Sequence, residues 1–146
     1  MFKKVIQSIE KVHYIKFEKD ELLLESLTQY AKDNNIKTAE ISFIGAVQNV
    51  NVMYFNQSKK EYDKHKFEGG HEVLSGLGNV SILEGEPFVH VHMTVADKNG
   101  NAFGGHLDEG TKIWLIEAVI RQPSFFLGKG IERHFDDELC LSVWKD

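Results

Sequence analysis

The chain has 146 residues, of which 42% are hydrophobic and 27% charged, proportions typical of a folded globular protein and not of a disordered chain. Seventeen basic and 22 acidic residues give a net charge of −5, and only two of the basic residues, Arg121 and Arg133, are arginines. Because lysine and arginine neutralise the phosphates of nucleic acids, this balance argues against a domain that binds DNA directly.

Two further features bear on where the protein works. No apolar run approaches the roughly 18 residues of a membrane span, and Lys3 and Lys4 are not followed by the apolar stretch of a signal peptide. The chain has one cysteine, Cys140, so an internal disulfide is excluded, and its apolar neighbours favour a small buried side chain over a catalytic thiol. We expect a cytoplasmic protein with a single domain over residues 1–146.

Hydrophobic periodicity predicts one helix among many strands. Asp20 offers an N-cap to this helix, Asn34 and Asn35 end it, and Gly45 interrupts the strand pattern that follows. A single helix and short connections predict an α+β fold, with a mixed, mostly antiparallel β-sheet and one main helix packed on it. In chain order, the predicted elements are a strand over 12–17, a helix over 21–32, strands over 37–44 and 47–55, a turn near 59–60, a meander of short strands over 71–81, strands over 88–96 and 113–121, a turn over 125–128 and a strand over 138–144.

The strand over 113–121 is apolar on both faces. Trp114 and Ile116 lie on one face of the predicted strand and Leu115 on the other, a pattern that indicates a central strand. Glu117 shares the face of Leu115. If that face is buried, a carboxylate there needs a partner or a metal. If the face is exposed, water alone satisfies the carboxylate.

The strand over 88–96 separates two kinds of side chain. Its valines and its methionine alternate with His90, His92 and Thr94. Because side chains alternate across a strand, the apolar ones line the core, and the two histidines project from the other face with their Cα atoms about 6.5–7 Å apart. Imidazoles at that spacing can converge on zinc or a related transition metal.

Whether His106 joins them depends on the turn after the strand. A two-residue turn at 99–100 would put His106 on the core face, whereas a three-residue loop over 98–100 would set it opposite His92. We favour the three-residue loop, because Gly100 as its last residue suits the left-handed conformation of a turn followed by a bulge.

Gly104 and Gly105 precede the third histidine, and a bulge there would change the parity again. Without side chains they keep the sheet surface open for a ligand or for another backbone, so we include them in the predicted pocket. Two histidines on a half-exposed strand could simply be solvated. With the third histidine and the glycine pair, the pattern favours a site for a divalent transition metal, zinc first, or for a small polar ligand. Its predicted ligands are His90, His92 and His106.

The run from His90 to Leu107, with Gly104-Gly105-His106 near its end, resembles the signature of the plants-and-prokaryotes-conserved (PPC) domain family. The segments 44–47, 72–75 and 117–120 fall in the family's order, so that the resemblance covers roughly residues 10–144. It implies an α/β or α+β fold with a mostly antiparallel sheet, assembled as a homotrimer. It also implies that the three histidines match those shared by the family, near a subunit boundary.

The resemblance carries a DNA-binding label that this sequence does not support. In plants the domain accompanies AT-hook motifs in nuclear regulators, and no Arg-Gly-Arg-Pro core of such a motif occurs here. Around Gly69-Gly70-His71-Glu72, the sequence also lacks the arginine of the plant motif linked to transcription-factor partners. We therefore expect neither direct contact with DNA nor the plant partner surface.

Three further side chains, Glu117, Glu72 and His71, are candidates for an additional ligand or for residues that orient the ligands. Each also has a plainer interpretation. Glu117 would be an outward-facing carboxylate, and His71 and Glu72 would belong to a turn that leads into a strand.

Three hypotheses about function follow. The first is a non-enzymatic, trimeric module that binds a metal or small ligand at the histidine cluster and has a regulatory role. The second is a metal-dependent hydrolase or lyase, in which the metal activates water and Glu117 or Glu72 acts as general base. The third is a DNA-binding transcriptional regulator, which the family label suggests and the charge opposes.

Overall fold

The structure is a computed structural model that describes residues 6–124 and 129–145. The described part contains one helix and eight strands. In chain order they are β1 (Ile9–Phe17), α1 (Leu23–Asp33), β2 (Ala39–Asn56), β3 (Glu61–Leu83), β4 (Glu86–Ala96), β5 (Ala102–Leu107), β6 (Ile113–Pro123), β7 (Arg133–Asp136) and β8 (Leu141–Trp144). No helix within these residues has the length and apolar character needed to cross a membrane.

The main sheet closes on itself. Its six strands follow the order β1-β6-β2-β3-β4-β5, and a further pairing of β2 with β5 joins Met53 to His106 and Val52 to Leu107. Every pairing between the named strands is antiparallel. The prediction of a mostly antiparallel sheet with one main helix is thus confirmed, whereas its mixed character is not found among the named strands. The closure, which makes the sheet barrel-like, was not predicted.

The helix packs its predicted apolar face into the core, where Leu23, Leu27 and Ala31 are fully buried. Asn34 ends it as predicted. The prediction of Asp20 as N-cap was wrong, because the N-cap position is Leu22 and no side chain caps it. The backbone of Leu22 is held in a bridge to Lys112, just before β6, so the helix begins two residues later than predicted.

The two longest strands replace the shorter ones predicted for the same segments. β2 runs for 18 residues and β3 for 23. Irregularities of the β2–β3 pairing near Gly45 let β2 bend without ending. Gly45 has φ 146°, and a Cβ there would lie 2.1 Å from the carbonyl oxygen of Leu115, so only glycine permits this close approach. The polar stretch after β2 is a turn followed by the exposed first half of β3.

The central position of β6 is confirmed, since it pairs with both β1 and β2. Its predicted faces were wrong at the start of the strand. The pairing with β2 skips Trp114, so that Trp114 and Leu115 are both exposed between the buried Ile113 and Ile116. A bulge of this kind changes which residues face the core, and alternation alone does not reveal it.

The C-terminal part forms a separate two-stranded sheet, β7 with β8. The predicted strand over 138–144 is shorter, because the Asp136 carboxylate accepts hydrogen bonds from the backbone N–H groups of Glu138 and Leu139 and holds a turn there. Cys140 lies in that turn with φ 54° and is half-buried, and not a core residue of a strand as predicted. The turn predicted over 125–128 lies outside the described residues.

Candidate metal centre

Strand β4 presents the first two histidines as predicted. Its apolar positions, including Val91 and Met93, are buried, whereas His90 is half-buried and His92 exposed. The period of two that sends apolar side chains inward therefore carries both imidazoles to the outer face of the sheet.

The hairpin between β4 and β5 sets the register of the third histidine. The N–H of Asp97 donates to the carbonyl of Asn101 at 3.1 Å, so the loop contains three residues, and Gly100 has φ 80°. The Asp97 carboxylate accepts the N–H groups of Asn99 and Asn101 at 2.8 and 2.9 Å. The three-residue loop is thus confirmed, and it pairs His92 with His106 across the strands.

The three imidazoles form a compact cluster. The ring centroids lie 4.8 Å apart for His90 and His106, 5.1 Å for His90 and His92, and 5.3 Å for His92 and His106. One ligand nitrogen from each ring lies within 4.8 Å of the others. Nitrogens around a tetrahedral zinc ion are about 3.3 Å apart. The three nitrogens would have to move closer to reach that spacing, and three imidazoles grouped on one face are a donor set that fits a transition metal.

The protonation of the cluster also suits a metal. Burial lowers the pKa of His90 to about 4, and the neighbouring His106, Arg133 and His92 add to the effect. Burial, followed by the charge of His92, likewise lowers the pKa of His106 to about 4. Both rings are therefore neutral at pH 7, and each has one ring nitrogen whose lone pair a metal can take without displacing a proton.

Gly104 and Gly105 serve the approach of neighbouring backbones. A Cβ on Gly104 would lie 2.0 Å from the carbonyl oxygen of Met93 on β4, and one on Gly105 would lie 2.9 Å from that of Met53 on β2. Strand β5 can therefore enter between β4 and β2 only because these two positions lack side chains. The neighbouring backbones take the space at both Cβ positions, and both glycines also line a groove of about 420 Å³ beside His92.

Arg133, at the start of β7, is a site residue that the sequence reasoning missed. Its Nε donates to Ser81 Oγ at 2.6 Å, its Nη1 to the carbonyl of Ser142 at 2.8 Å and its Nη2 to Asn79 Oδ1 at 3.0 Å. The same Nη2 lies 3.4 Å from Nδ1 of His90. The only signal in the sequence was that Arg133 is one of two arginines.

A cavity of about 610 Å³ opens beside the cluster. His90, His106, Arg133 and Tyr62 line it. The Tyr62 ring centroid lies 5.2 Å from that of His106, and burial raises the pKa of Tyr62. The cluster therefore borders a space large enough for a small molecule.

The remaining sequence candidates lie elsewhere. Glu117 is exposed on β6, paired with Lys16 and Ile44 on the neighbouring strands. His71 and Glu72 line a different cleft of about 480 Å³, where Nδ1 of His71 lies 2.8 Å from the carbonyl oxygen of Gly69. The structure brings together the three predicted histidines, and it does not bring these three side chains to them.

Comparison with solved structures gives close matches over the whole chain. A metal-containing protein from Archaeoglobus fulgidus is 30% identical with a TM-score of 0.91, and the match covers 99% of this chain and 100% of that one. A plant- and prokaryote-conserved protein from Pyrococcus horikoshii is 31% identical with a TM-score of 0.90, covering 99% and 98%. A Bacteroides thetaiotaomicron protein proposed to bind DNA is 23% identical with a TM-score of 0.84, covering 95% and 96%. At 23% identity, the likeness to the Bacteroides thetaiotaomicron protein shows the fold alone.

Comparison with family models also gives a match over most of the chain. Residues 5–123 match the Plants and Prokaryotes Conserved (PCC) domain, and the match includes the whole of β4 and β5 with the three histidines. Among curated proteins no match was found. The small β7–β8 sheet, with Arg133, lies beyond the residues that the family model matches. The chain belongs to the Plants and Prokaryotes Conserved domain family.

Proposed function

We propose that this protein is a metal-binding module in which His90, His92 and His106 hold one divalent transition metal, with zinc the first candidate. The observation that carries the proposal is the convergence of three imidazole nitrogens within 4.8 Å on one face of a closed sheet. Two of these imidazoles have pKa values lowered to about 4. Neutral imidazole is the form that binds zinc, so His90 and His106 are in the metal-binding form at pH 7.

The cluster is suited to bind a further ligand through the metal. Zinc sites with three protein ligands commonly keep a fourth position open. Here the cavity beside His90 and His106 would give a small molecule access to that position. We propose a regulatory role in which binding of a small ligand at this site is the signal.

We also propose that the module is a homotrimer. Leu77 is 60% exposed and pairs directly with His92, so an apolar surface adjoins the cluster. Other large apolar side chains are exposed on the sheet, and such surfaces are typical of contacts between subunits. They include Ile44, Leu74, Trp114 and Leu115. Association through the surface around Leu77 would place the histidines near a subunit boundary.

Native mass spectrometry tests both parts of this proposal in one experiment. After incubation with zinc and removal of the excess by desalting, we expect a particle of three chains that carries three zinc ions. Incubation with a strong chelator should remove the ions. Chains that retain no zinc would contradict the metal site, and zinc-loaded monomers would contradict the trimer.

A metal-dependent hydrolase or lyase is the second candidate. The cavity beside the cluster favours it, because substrate could reach the metal there. The general bases suggested by the sequence, Glu117 and Glu72, are not at the cluster. We therefore rank the hypothesis of a metal-dependent enzyme below that of a binding module.

Direct DNA binding is the third candidate. Of the two arginines, Arg121 lies 3.8 Å from Glu40, and Arg133 is bonded to Ser81 and Asn79 within the cavity. Both arginines are only partly exposed, and the net charge is −5. Both facts oppose the phosphate contacts on which DNA affinity depends.

A further inference from the structure

Arg133 is a half-buried cation without an acidic partner. In residues 6–124 and 129–145, no carboxylate lies within 4.0 Å of its guanidinium. The other cation that lines the cavity, Lys64, lies 2.9 Å from Asp108 and is neutralised by it. Glu109, the remaining acidic residue of the lining, is exposed to solvent. The inner part of the cavity therefore carries one positive charge without a counter-charge, which lies 5.0 Å from the centroid of the Phe88 ring.

The position of the guanidinium is held by the protein. A guanidinium has five N–H donors and no acceptor. Three of them are used by Ser81, Asn79 and the carbonyl of Ser142, which leaves one N–H on each terminal nitrogen. The one on Nη2 has Nδ1 of His90 as its acceptor, at 3.4 Å.

A metal at the cluster would take that acceptor away. If His90 binds the metal through Nδ1, the lone pair of that nitrogen is used. If it binds through Nε2, Nδ1 carries the proton and cannot accept another. In either case Arg133 is left with one N–H on each terminal nitrogen, beside the metal position. N–H groups on the two terminal nitrogens of an arginine can bind the two oxygens of one carboxylate.

The rest of the cavity narrows the class of ligand. Its lining includes apolar side chains such as Met53, Phe88 and Leu107, which suit the carbon atoms of an organic acid. A single uncompensated cation matches a monoanionic carboxylate better than the dianionic phosphate group, for which several cations or N–H donors are usual.

We propose that Arg133 binds the carboxylate of a small organic acid, and that a second oxygen of the same acid reaches the metal position between His90, His92 and His106. This inference rests on the proposed metal site and names the ligand that the site takes. Arg133 acts here as the residue that selects and orients the acid. The metal and the guanidinium each hold one end of it.

Oxalate, a small acid with adjacent carboxylates, is a suitable probe for calorimetric titration of the zinc-loaded protein. We expect saturable binding that weakens at least about tenfold in Arg133→Gln, at an unchanged zinc content. Arg133→Lys keeps the charge and loses the paired N–H groups, so we expect an intermediate affinity. Arg121→Gln is the matched control, because Arg121 pairs with Glu40 on the sheet and does not line the cavity.

Each result decides the proposal. Equal oxalate affinity in wild type and both Arg133 variants at equal zinc content would overturn it and leave the metal site standing. Phosphate binding more tightly than oxalate, in an Arg133-dependent manner, would overturn the assignment to carboxylic acids. If the protein takes up no zinc, the proposed metal site is wrong. The same titration without metal then tests whether Arg133 alone binds a carboxylate. Arg133-dependent oxalate binding would retain that anion site, and its absence would overturn it.

Discussion

Replacing His106 with alanine is expected to weaken zinc binding by about 100-fold or more. Structural zinc sites have four ligands and contribute about 10–16 kcal/mol in total, so each ligand accounts for about 3 kcal/mol, which corresponds to roughly a 100-fold change in the dissociation constant. His106 is also the ligand that β5 brings to the pair on β4. Competition with a zinc-binding dye at pH 7.5 measures this loss.

His71→Ala is the matched control for that substitution. His71 is also a strand histidine, and it lies against Phe103 in a cleft separate from the cluster. We expect its removal to leave the zinc affinity within about a factor of two. A variant lacking His106 that binds zinc as tightly as the wild type would show that the three histidines do not act as one site.

The second large effect is expected from Gly104→Ala. The added methyl would lie 2.0 Å from the carbonyl oxygen of Met93, an atom of the neighbouring backbone that cannot rotate away. Overpacking of this kind costs about 3 kcal/mol in the free energy of unfolding. Because β5 must shift away from β4 to relieve the clash, His106 should also move from His92 and the zinc affinity should fall.

Urea denaturation and zinc titration of the same variant measure the two effects together. Gly70→Ala is the control, because a Cβ there has its nearest contact at 3.9 Å and the residue lies in a strand on the surface. We expect it to change the free energy of unfolding by no more than about 0.5 kcal/mol. Wild-type stability in Gly104→Ala would mean that β5 does not lie close enough to β4 for the added methyl to clash.

The geometry of the histidine cluster could be predicted because its determinants are local. The alternation of β4 places His90 and His92 on one face, and the loop that ends in Gly100 sets the register of β5. A hairpin transmits that register over a few residues, so the position of His106 follows from the loop length. The helix was predicted for the same reason, since its apolar face repeats within the element.

The features that were missed depend on contacts distant in sequence. The β6 bulge at Trp114 and the β2–β5 closure at Met53 arise from pairings between strands far apart in the chain, and periodicity within one strand carries no information about them. Arg133 reaches His90 because the β7–β8 hairpin folds back over β3 and β4. A lone arginine between polar residues gives no indication of such a position.

The metal content of the purified protein tests the central claim most directly. Inductively coupled plasma mass spectrometry of protein without an affinity tag should be compared between wild type and His92→Ala, whose exposed side chain can be removed without disturbing the core. We predict close to one transition-metal ion per wild-type chain and little in the variant. Wild-type protein that contains no metal, and takes up none when zinc, nickel or iron is added, would contradict the account.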